Sequence, residues 1–257
     1  MDVNAGRKTG FEEHIGRLLD VTTLAGRKIL EIGGDRWRYM SNRFVELGAD
    51  QIDTINIVPA WPDKVFITPK IFSQKLDCRK LTDAYEEDSF DLVFGVAVGE
   101  HITGIDAFLE QAKRVLRPGG LLYLHGGPIW SSGKGHHLFH RFEGRHYKFS
   151  DKDCPVLGWE HLMNDAASLA ALLEERGLPV SHAESIARWI YETTDQNRYC
   201  HSHICSFFDN SGLERVLRHD NAFGAPNPDQ LSAMVARGYS PDERFDVSGV
   251  THVMRKT

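Results

Sequence analysis

The sequence predicts one α/β domain in which helices flank a mostly parallel β-sheet. Short apolar runs alternate with helical patterns through the first half of the chain, and this alternation is typical of βαβ units. A length of 257 residues suits a single domain of this class, and a hydrophobic content of 41% allows a large core. We therefore expect seven strands, with a mainly helical and loop insertion after the fifth strand.

Helix, strand and helix are predicted at the amino-terminal end. Residues 1–26 form the first helix, because apolar side chains recur on one of its faces: Phe11, Ile15, Leu18 and Leu19. The apolar run 28–32 is a buried first strand, which Gly33 and Gly34 end. A second helix follows up to Gly48, because further apolar side chains recur at helical spacing: Trp37, Met40, Phe44 and Leu47.

The next strands are predicted from short apolar runs, at residues 51–57, 72–76 and 90–94. An i, i+3, i+4, i+7 stripe then predicts a helix over 104–117. A Pro-Gly-Gly turn ends that helix and leads into the fifth strand, 121–125.

The pattern changes after the fifth strand. Residues 126–158 are rich in Gly, His, Ser and aromatic side chains without a period, which predicts a long loop. Helices are predicted at 160–177 and 181–192. The chain then returns to helix, strand, helix and strand, at 204–211, 213–217, 228–237 and 247–254. We interpret 1–125 as the cofactor-binding half, 126–203 as a substrate-binding insertion and 204–257 as the completion of the sheet.

Composition and charge exclude several classes of protein. The net charge of −6 argues against a nucleic-acid binder, since phosphate contacts need clustered Lys and Arg. No apolar run approaches the roughly 18 residues that span a bilayer, and the first residues lack the pattern of a secretory signal. Four scattered cysteines do not suggest a disulfide framework. We expect a soluble, cytoplasmic monomer or homodimer that acts on a small molecule.

A ligand site is expected at one edge of the sheet. In an open parallel sheet, ligands bind outside the carboxyl ends of the strands, near the point where the strand order reverses. The side chains that follow the first four predicted strands are therefore the first candidates. A Gly-Gly pair between a strand and a helix also lets the backbone approach a ligand closely, although glycine serves simple tight turns as well.

The order and spacing of several motifs resemble the class I, Rossmann-like methyltransferases that use S-adenosylmethionine. LEIGG at 30–34 resembles their first motif, and DCRKL at 77–81 resembles their third-strand motif. SFDLVF at 89–94, followed by VGEHI at 98–102, resembles the fourth-strand segment. KRVLRPGG at 113–120 matches the next helix and turn. The resemblance covers about residues 25–125 and is most specific from Ser89 to Leu124.

The resemblance implies a set of residues that bind S-adenosylmethionine. Glu31 orients its amino-acid end, Gly33 and Gly34 pass beside the methionine portion, and Val96 lies near that portion at the exit of the fourth strand. The remaining positions surround the nucleoside: Asn56 and Ile57 at the ribose, and Asp77 and Cys78 at the adenine. Two departures stand out, because Asp35 and Trp37 replace the later glycines of the first motif, and Asn56 replaces the usual ribose-binding acid.

The substrate side is predicted from the insertion and from the segment after the fourth strand. An acceptor hydroxyl or amine must lose a proton, so a nearby imidazole is the favoured general base. His136 and His137 are the leading candidates, and His101 is the third, although histidines at such positions are also often structural. The side chains expected to form the acceptor pocket are Trp130, Ser131, Ser132 and Tyr191, while Trp189 faces either the pocket or the core.

A metal is not expected. The segment from Cys200 to Cys205 holds two cysteines and two histidines, which zinc prefers as ligands. Structural zinc sites usually take spaced pairs of ligands from separate turns, however, and these residues are crowded into six positions. An ordinary helix start with half-buried cysteines is the favoured interpretation.

Three functions remain open at this point. The first is methyl transfer from S-adenosylmethionine to oxygen or nitrogen of a sugar, sugar phosphate or secondary metabolite. The second is a methyltransferase-like binding or assembly protein without turnover, which the replacements at Asp35, Trp37 and Asn56 favour. The third is a nicotinamide-dependent oxidoreductase, which the missing glycines and the missing ribose-binding acid disfavour.

Overall fold

The computed structural model describes the backbone of residues 3–257 and the side chains of residues 10–257. Within this part of the chain the helices are α1 (Val3–Leu19), α2 (Tyr39–Glu46), α3 (Ile105–Val115), α4 (Glu160–Met163), α5 (Ala166–Glu175), α6 (Val180–Glu192), α7 (His201–Asp209) and α8 (Pro228–Ala236). The strands are β1 (Lys28–Ile32), β2 (Gln51–Asn56), β3 (Val65–Thr68), β4 (Ile71–Lys75), β5 (Phe90–Gly95), β6 (Leu116–Gly126), β7 (Phe139–Phe142), β8 (Arg145–Lys148), β9 (Glu214–Ala222) and β10 (Val247–Arg255).

Eight of the described strands form one sheet in the order β3-β4-β2-β1-β5-β6-β10-β9. The five central strands, from β4 to β6, pair in parallel, whereas β10 runs antiparallel to both of its neighbours and β3 runs antiparallel to β4. The strand order reverses between β1 and β5, because the chain first moves outward from β1 to β4 and then returns to β5 on its other side. This is the point at which an open parallel sheet binds its ligands.

The central strands are apolar on both faces because each face is covered by helices. Ile29 of β1 packs in a cluster with Phe44 of α2. Its neighbour Leu30 points to the opposite face and packs in a second cluster with Phe108 of α3. This alternation explains why β1 lacks the polar-apolar alternation of a half-exposed strand.

The insertion has an apolar core of its own. Side chains from the loop after β6, from the β7–β8 hairpin and from α4 to α6 form a third cluster, which also takes in Met234 and Phe245 from the carboxyl-terminal segment. Side chains along the predicted loop 126–158 therefore pack into this cluster. The segment also contains the two-stranded hairpin of β7 and β8. The absence of a clear period in the sequence reflects these short elements rather than a structureless segment.

The mostly parallel α/β sheet is confirmed, with three differences in detail. The sheet has eight strands within the described residues instead of seven, because β3 adds an antiparallel edge strand, all four of whose residues are exposed. Helix 160–177 is broken into α4 and α5 at Asn164, since the Asp165 side chain accepts from the Ser168 backbone N–H and starts a new helix there. β6 begins at Leu116 and includes the Pro-Gly-Gly turn.

No helix in the described part of the chain is both long enough and apolar enough to cross a membrane.

Candidate active site

A cleft of about 810 Å³ opens at the carboxyl ends of β1, β2, β4 and β5. Sequence-predicted residues on its wall are Gly33, Asn56, Ile57, Asp77, Cys78, His101 and His137. The wall of the cleft does not include the other predicted residues, which are Glu31, Gly34, Val96, His136, Trp130, Ser131, Ser132 and Tyr191. The cleft thus brings five of the proposed cofactor residues and two of the three proposed bases together.

The turn after β1 is held tightly against β2. The backbone N–H groups of Gly33 and Gly34 both donate to the carbonyl oxygen of Ile55. Gly33 has φ +72°, and a Cβ atom on Gly34 would lie 2.0 Å from Oγ1 of Thr54. Both glycines are therefore required by local packing, since neither the backbone conformation of the first nor the space at the second admits a side chain.

Asp35 stands where the related proteins have a second glycine, and its side chain starts helix α2. Its Oδ1 accepts from the backbone N–H of Trp37 at 2.7 Å, and its Oδ2 accepts from that of Tyr39 at 3.1 Å. One carboxylate thereby satisfies an N–H group of the turn before α2 and the first N–H group of the helix. This departure from the glycine pattern has a structural role.

Glu31 lies beneath this turn rather than on the cleft wall. It is buried, and Ser41 Oγ of α2 donates a short hydrogen bond to its Oε2. Burial raises the pKa of Glu31 to about 7, against a weaker opposing contribution from the Ser41 hydrogen bond. Glu31 therefore ties β1 to α2 from behind and supports the turn that Gly33 and Gly34 form.

Asn56 uses its side-chain amide to shape the loop after β2. Its Nδ2 donates to the carbonyl oxygen of Gly34 at 3.1 Å, and its Oδ1 accepts from the backbone N–H groups of Ile57 and Val58. The amide thereby links the turn after β1 to the loop after β2. Ile57 follows on the lip of the cleft with 60% of its surface exposed, which leaves an apolar face for a bound ligand to cover.

Asp77 at the end of β4 forms an ion pair with Arg79. Nη2 of Arg79 lies 2.6 Å from Oδ2 of Asp77. Nη1 of Arg79 donates to the carbonyl oxygen of Thr103 across the cleft. The Arg79 hydrogen bond holds the pKa of Asp77 below its ordinary value. Burial raises the pKa of the neighbouring Cys78 thiol to about 12, so this side chain stays neutral and presents an apolar surface.

The far end of the cleft holds a cluster of three ionisable side chains, Glu100, His101 and His137. The rings of His101 and His137 lie 5.0 Å apart, centroid to centroid. His101 Nε2 lies 3.9 Å from Glu100 Oε1, and its Nδ1 lies 2.5 Å from the carbonyl oxygen of Asp195. Burial raises the pKa of Glu100 to about 7 and, with the charge of His101, lowers that of His137 to about 4.

His136 points away from the cleft, in spite of its position next to His137. It is buried in the insertion, where its Nδ1 accepts from the Leu138 backbone N–H at 3.1 Å and its ring packs against His161. His137 has φ +46°, a left-handed conformation that turns the two rings in different directions. The structure thus separates the two candidate bases that the sequence presented as a pair.

The predicted acceptor-pocket residues belong to the core of the insertion. Trp130 Nε1 donates to Tyr239, the Ser131 hydroxyl accepts from the His201 backbone N–H, and the Tyr191 hydroxyl donates to backbone carbonyls. The insertion instead gives the cleft five other residues, namely Phe139, Trp189, Thr194, Asp195 and Gln196. Sequence reasoning missed Phe139, Thr194 and Gln196, because no local pattern distinguishes wall residues from neighbours that face the core.

The cysteine and histidine segment 200–205 forms the start of α7. Cys200 is the residue that caps this helix, and its backbone N–H donates to His203 Nδ1 at 3.3 Å. His201 pairs with Asp220 at 3.2 Å, and Cys205 lies near Arg218. Among the side chains described, these residues do not form a group of three ligand atoms close enough to hold a metal ion, whereas Glu100, His101 and His137 do.

Comparisons with known proteins agree with this architecture. Residues 59–124 match the family model of a methyltransferase domain, and no curated protein matches the sequence. The fold is similar to that of an S-adenosylmethionine-dependent methyltransferase from Mesorhizobium loti, with a TM-score of 0.51 and 14% identity over 92% of this chain and 94% of that one. It is also similar to the YcgJ protein from Bacillus subtilis, with a TM-score of 0.53 and 10% identity over 95% and 98% of the two chains.

The wall of the cleft combines polar and apolar side chains. Asp77 contributes a carboxylate whose two oxygens accept from Arg79, and Ile57 contributes an exposed apolar side chain. The chain therefore has the Rossmann-like fold of class I methyltransferases, and its residues 59–124 match a methyltransferase domain model; S-adenosylmethionine is the cofactor that these similarities imply.

Proposed function

We propose that the protein transfers a methyl group from S-adenosylmethionine to oxygen or nitrogen of a small-molecule acceptor, such as a sugar, a sugar phosphate or a secondary metabolite. The observation that carries this proposal is the placement of His101 and His137 in the same cleft as Gly33, Asn56 and Asp77. A cofactor-binding wall and a proton acceptor that share one cleft suit a transferase.

The cofactor residues act by holding their ligand in a fixed position. Asp77 accepts from the adenine amine, Asn56 and Ile57 lie beside the ribose, and the turn at Gly33 passes the methionine portion. The bound cofactor supplies an electrophilic methyl group on a sulfonium. Because that transfer is an in-line displacement, much of the rate acceleration comes from orienting the acceptor atom against the methyl carbon.

His137 is the general base in this proposal. Its ring lines the cleft, and its Nδ1 is buried without a hydrogen-bond partner, so a nitrogen lone pair is free to take a proton from the acceptor. His101 lies beside it and keeps its own ring in place through the Asp195 carbonyl. His136, which bonds the backbone of Leu138, supports the loop that carries His137.

The acceptor lies between the insertion and the turn after β5. Phe139 and Trp189 supply apolar surface, while Thr194 supplies a hydroxyl group and the amide of Gln196 donates to the His136 carbonyl behind the wall. A small number of polar groups on a mainly apolar wall is typical of pockets for small molecules. The net charge of −6 supports this acceptor class over a nucleic acid.

Two measurements test the proposal in sequence. Calorimetric titration with S-adenosylmethionine and S-adenosylhomocysteine is expected to show saturable binding, with NAD as a control that does not bind. Candidate acceptors are then screened for methyl transfer. The proposal is wrong if neither adenosyl ligand binds.

We expect His137→Ala to lower kcat about 100-fold or more, because general base catalysis typically contributes a factor of that size. The affinity for S-adenosylmethionine should change less than about 2-fold, since His137 stands at the acceptor end of the cleft. His146→Ala, an exposed histidine on β8, is the matched control. Full activity of His137→Ala would remove the assignment of the base.

A binding or assembly protein without turnover is the second candidate. The Asn56 amide already bonds the backbone of Gly34, Ile57 and Val58, and the Asp77 carboxylate already pairs with Arg79. Both side chains therefore have hydrogen-bond partners before a ligand binds. Binding of S-adenosylmethionine without methyl transfer to any acceptor, together with a stable partner complex, would favour this function.

A further inference from the structure

We propose that Glu100, His101 and His137 bind a divalent cation of the zinc class at the insertion end of the cleft. One ligand atom from each of the three side chains lies within 4.8 Å of the other two. Glu100 and His101 lie in the 3-10 turn Gly99–His101 after β5, and His137 comes from the loop between β6 and β7, so two separate segments converge on one point.

The His101 imidazole is oriented as metal ligands usually are. His101 Nδ1 must carry the hydrogen, because its partner, the carbonyl oxygen of Asp195, can only accept. Its Nε2 therefore presents a lone pair, and this atom faces Glu100. Histidines that bind metals commonly donate their second N–H to a carbonyl in this way, which fixes the tautomer and the ring direction. The ring of His137 lies 5.0 Å from that of His101, centroid to centroid, and its Nδ1 has no hydrogen-bond partner.

Glu100 provides an independent observation. Its side chain is only 4% exposed, and its Oε2 has no hydrogen-bond partner. His137 Nδ1 is also buried without a partner. Ligand atoms from three side chains thus lie within 4.8 Å of one another, and two of these side chains each have a buried polar atom without a hydrogen-bond partner. Buried polar atoms are rarely left in this state, and a cation bound between them satisfies all three.

The ligand set indicates which cation fits. Two imidazoles and one carboxylate suit zinc or a neighbouring transition metal, whereas magnesium and calcium prefer oxygen ligands alone. Bonds of about 2.0–2.2 Å in a tetrahedral site place ligand atoms roughly 3.4 Å apart, so the three side chains would close by about 1 Å. Three protein ligands leave a fourth position, which faces the cleft because both histidines line its wall.

The site deepens the proposed function and rests on it for its catalytic consequence. The acceptor oxygen would occupy the fourth coordination position of the cation, and the cation would lower the pKa of the acceptor hydroxyl. The O–H bond then breaks and the proton passes to water, while the oxygen bonds the methyl carbon as the carbon–sulfur bond breaks. His137 acts as a ligand in the cation-bound protein and as the base in the cation-free protein, because one nitrogen cannot serve both roles at once.

Titration of chelator-treated, full-length protein with zinc sulfate tests the binding site directly. We expect one zinc per chain, with affinity weakened about 10- to 100-fold or more in His101→Gln, His137→Asn and Glu100→Gln. The His101 side chain is 41% exposed, so His101→Gln is expected to fold. This variant therefore tests the site even if the variants of the buried ligands fail to fold. His146→Gln and Cys200→Ser are controls that should bind zinc normally.

Cobalt(II) provides a second readout, because its visible absorption reports coordination by imidazole. We expect a visible absorption band when cobalt is added to the chelator-treated protein, and we expect this band to be weaker in the three ligand variants. No zinc binding, or binding that the three variants leave unchanged, would overturn the proposal.

The two proposals fail in distinguishable ways. Zinc binding is measured without S-adenosylmethionine, and S-adenosylmethionine binding is measured on the cation-free protein. Loss of one signal with the other retained identifies which proposal is wrong. Once an acceptor is found, chelation should lower turnover at least 10-fold and zinc should restore it, whereas full turnover of the cation-free protein would remove the catalytic role.

Discussion

At the scale of single residues, the departures from the methyltransferase motifs have local structural roles. Asp35, in a glycine position, accepts from the N–H group of Trp37 in the turn before α2 and from that of Tyr39, the first residue of α2. Asn56, in the position of an acid, donates to the Gly34 carbonyl, which a carboxylate cannot do. These replacements therefore build a differently bonded turn, and they do not by themselves indicate a disabled site.

Asn56→Asp is expected to destabilise the fold at the turn after β1. The carboxylate would still accept from Ile57 and Val58, but it would face the Gly34 carbonyl at about the present 3.1 Å with no hydrogen between them. An unsatisfied pair of this kind lowers the free energy of unfolding by about 1–2 kcal/mol. Urea unfolding measures this change, and an unchanged or higher free energy of unfolding would contradict the expectation.

At the scale of elements, the end of the insertion is fastened to the turn after β5. Asn197 Nδ2 donates to the carbonyl oxygens of Gly99 and Ile102, and its backbone N–H donates to that of Glu100. The neighbouring Asp195 carbonyl holds the ring of His101. One short segment after α6 thus positions the turn that carries two of the three clustered side chains.

Asn197→Ala should loosen this connection. Two buried carbonyl groups would lose their donor, which is expected to lower the free energy of unfolding by about 2–4 kcal/mol. Urea unfolding measures the change. Asn210→Ala is a suitable control, because Asn210 also donates to a backbone carbonyl but is exposed, and it should cost less than about 0.5 kcal/mol. Equal effects of the two variants would show that Asn197 does not fasten the insertion.

At the scale of the whole molecule, buried histidines dominate the response to acid. Burial lowers the pKa of five of them to between about 3 and about 4: His14, His125, His137, His161 and His252. Each contributes stability that is complete above the unfolded pKa of about 6.5 and is lost as the pH falls toward the folded value. Glu31 and Glu100 act in the opposite direction, because their raised pKa values add stability as the pH falls below about 7. The histidines outnumber the acids, so net destabilisation is expected below pH 6.5.

His252→Phe tests this account at one site. His252 is 1% exposed, stacks on Phe208 at 3.9 Å and has two ring nitrogens without partners, so a phenyl ring keeps the packing. The variant differs from the unchanged protein by some free energy of unfolding at pH 8. At pH 5 this difference should shift by about 2 kcal/mol in favour of the variant, because its unfolded chain no longer gains a proton at position 252. The exposed His146→Phe is the control. Parallel pH profiles of His252→Phe and the unchanged protein would refute the linkage.

Much of the fold could be predicted from the sequence because its signals are local. The apolar runs at β1 and β5, the glycine turn after β1 and the stripe of α3 each depend on near neighbours along the chain. The spacing of these elements also indicated the methyltransferase motifs and the strand ends that line the cleft. The edge strand β3 was missed, because its residues are exposed and lack a buried pattern.

The sequence by itself therefore determined the sheet and the edge at which the cleft opens, since both follow from periodicity along the chain, and its motifs indicated the cofactor through their resemblance to the methyltransferases. Only the tertiary structure decided that His137 faces the cleft while His136 faces the insertion core, and that Glu100 joins His101 beside it. The physical reason is that these side chains are directed by contacts between segments far apart in the chain, such as the bond from His101 to Asp195 across 94 positions.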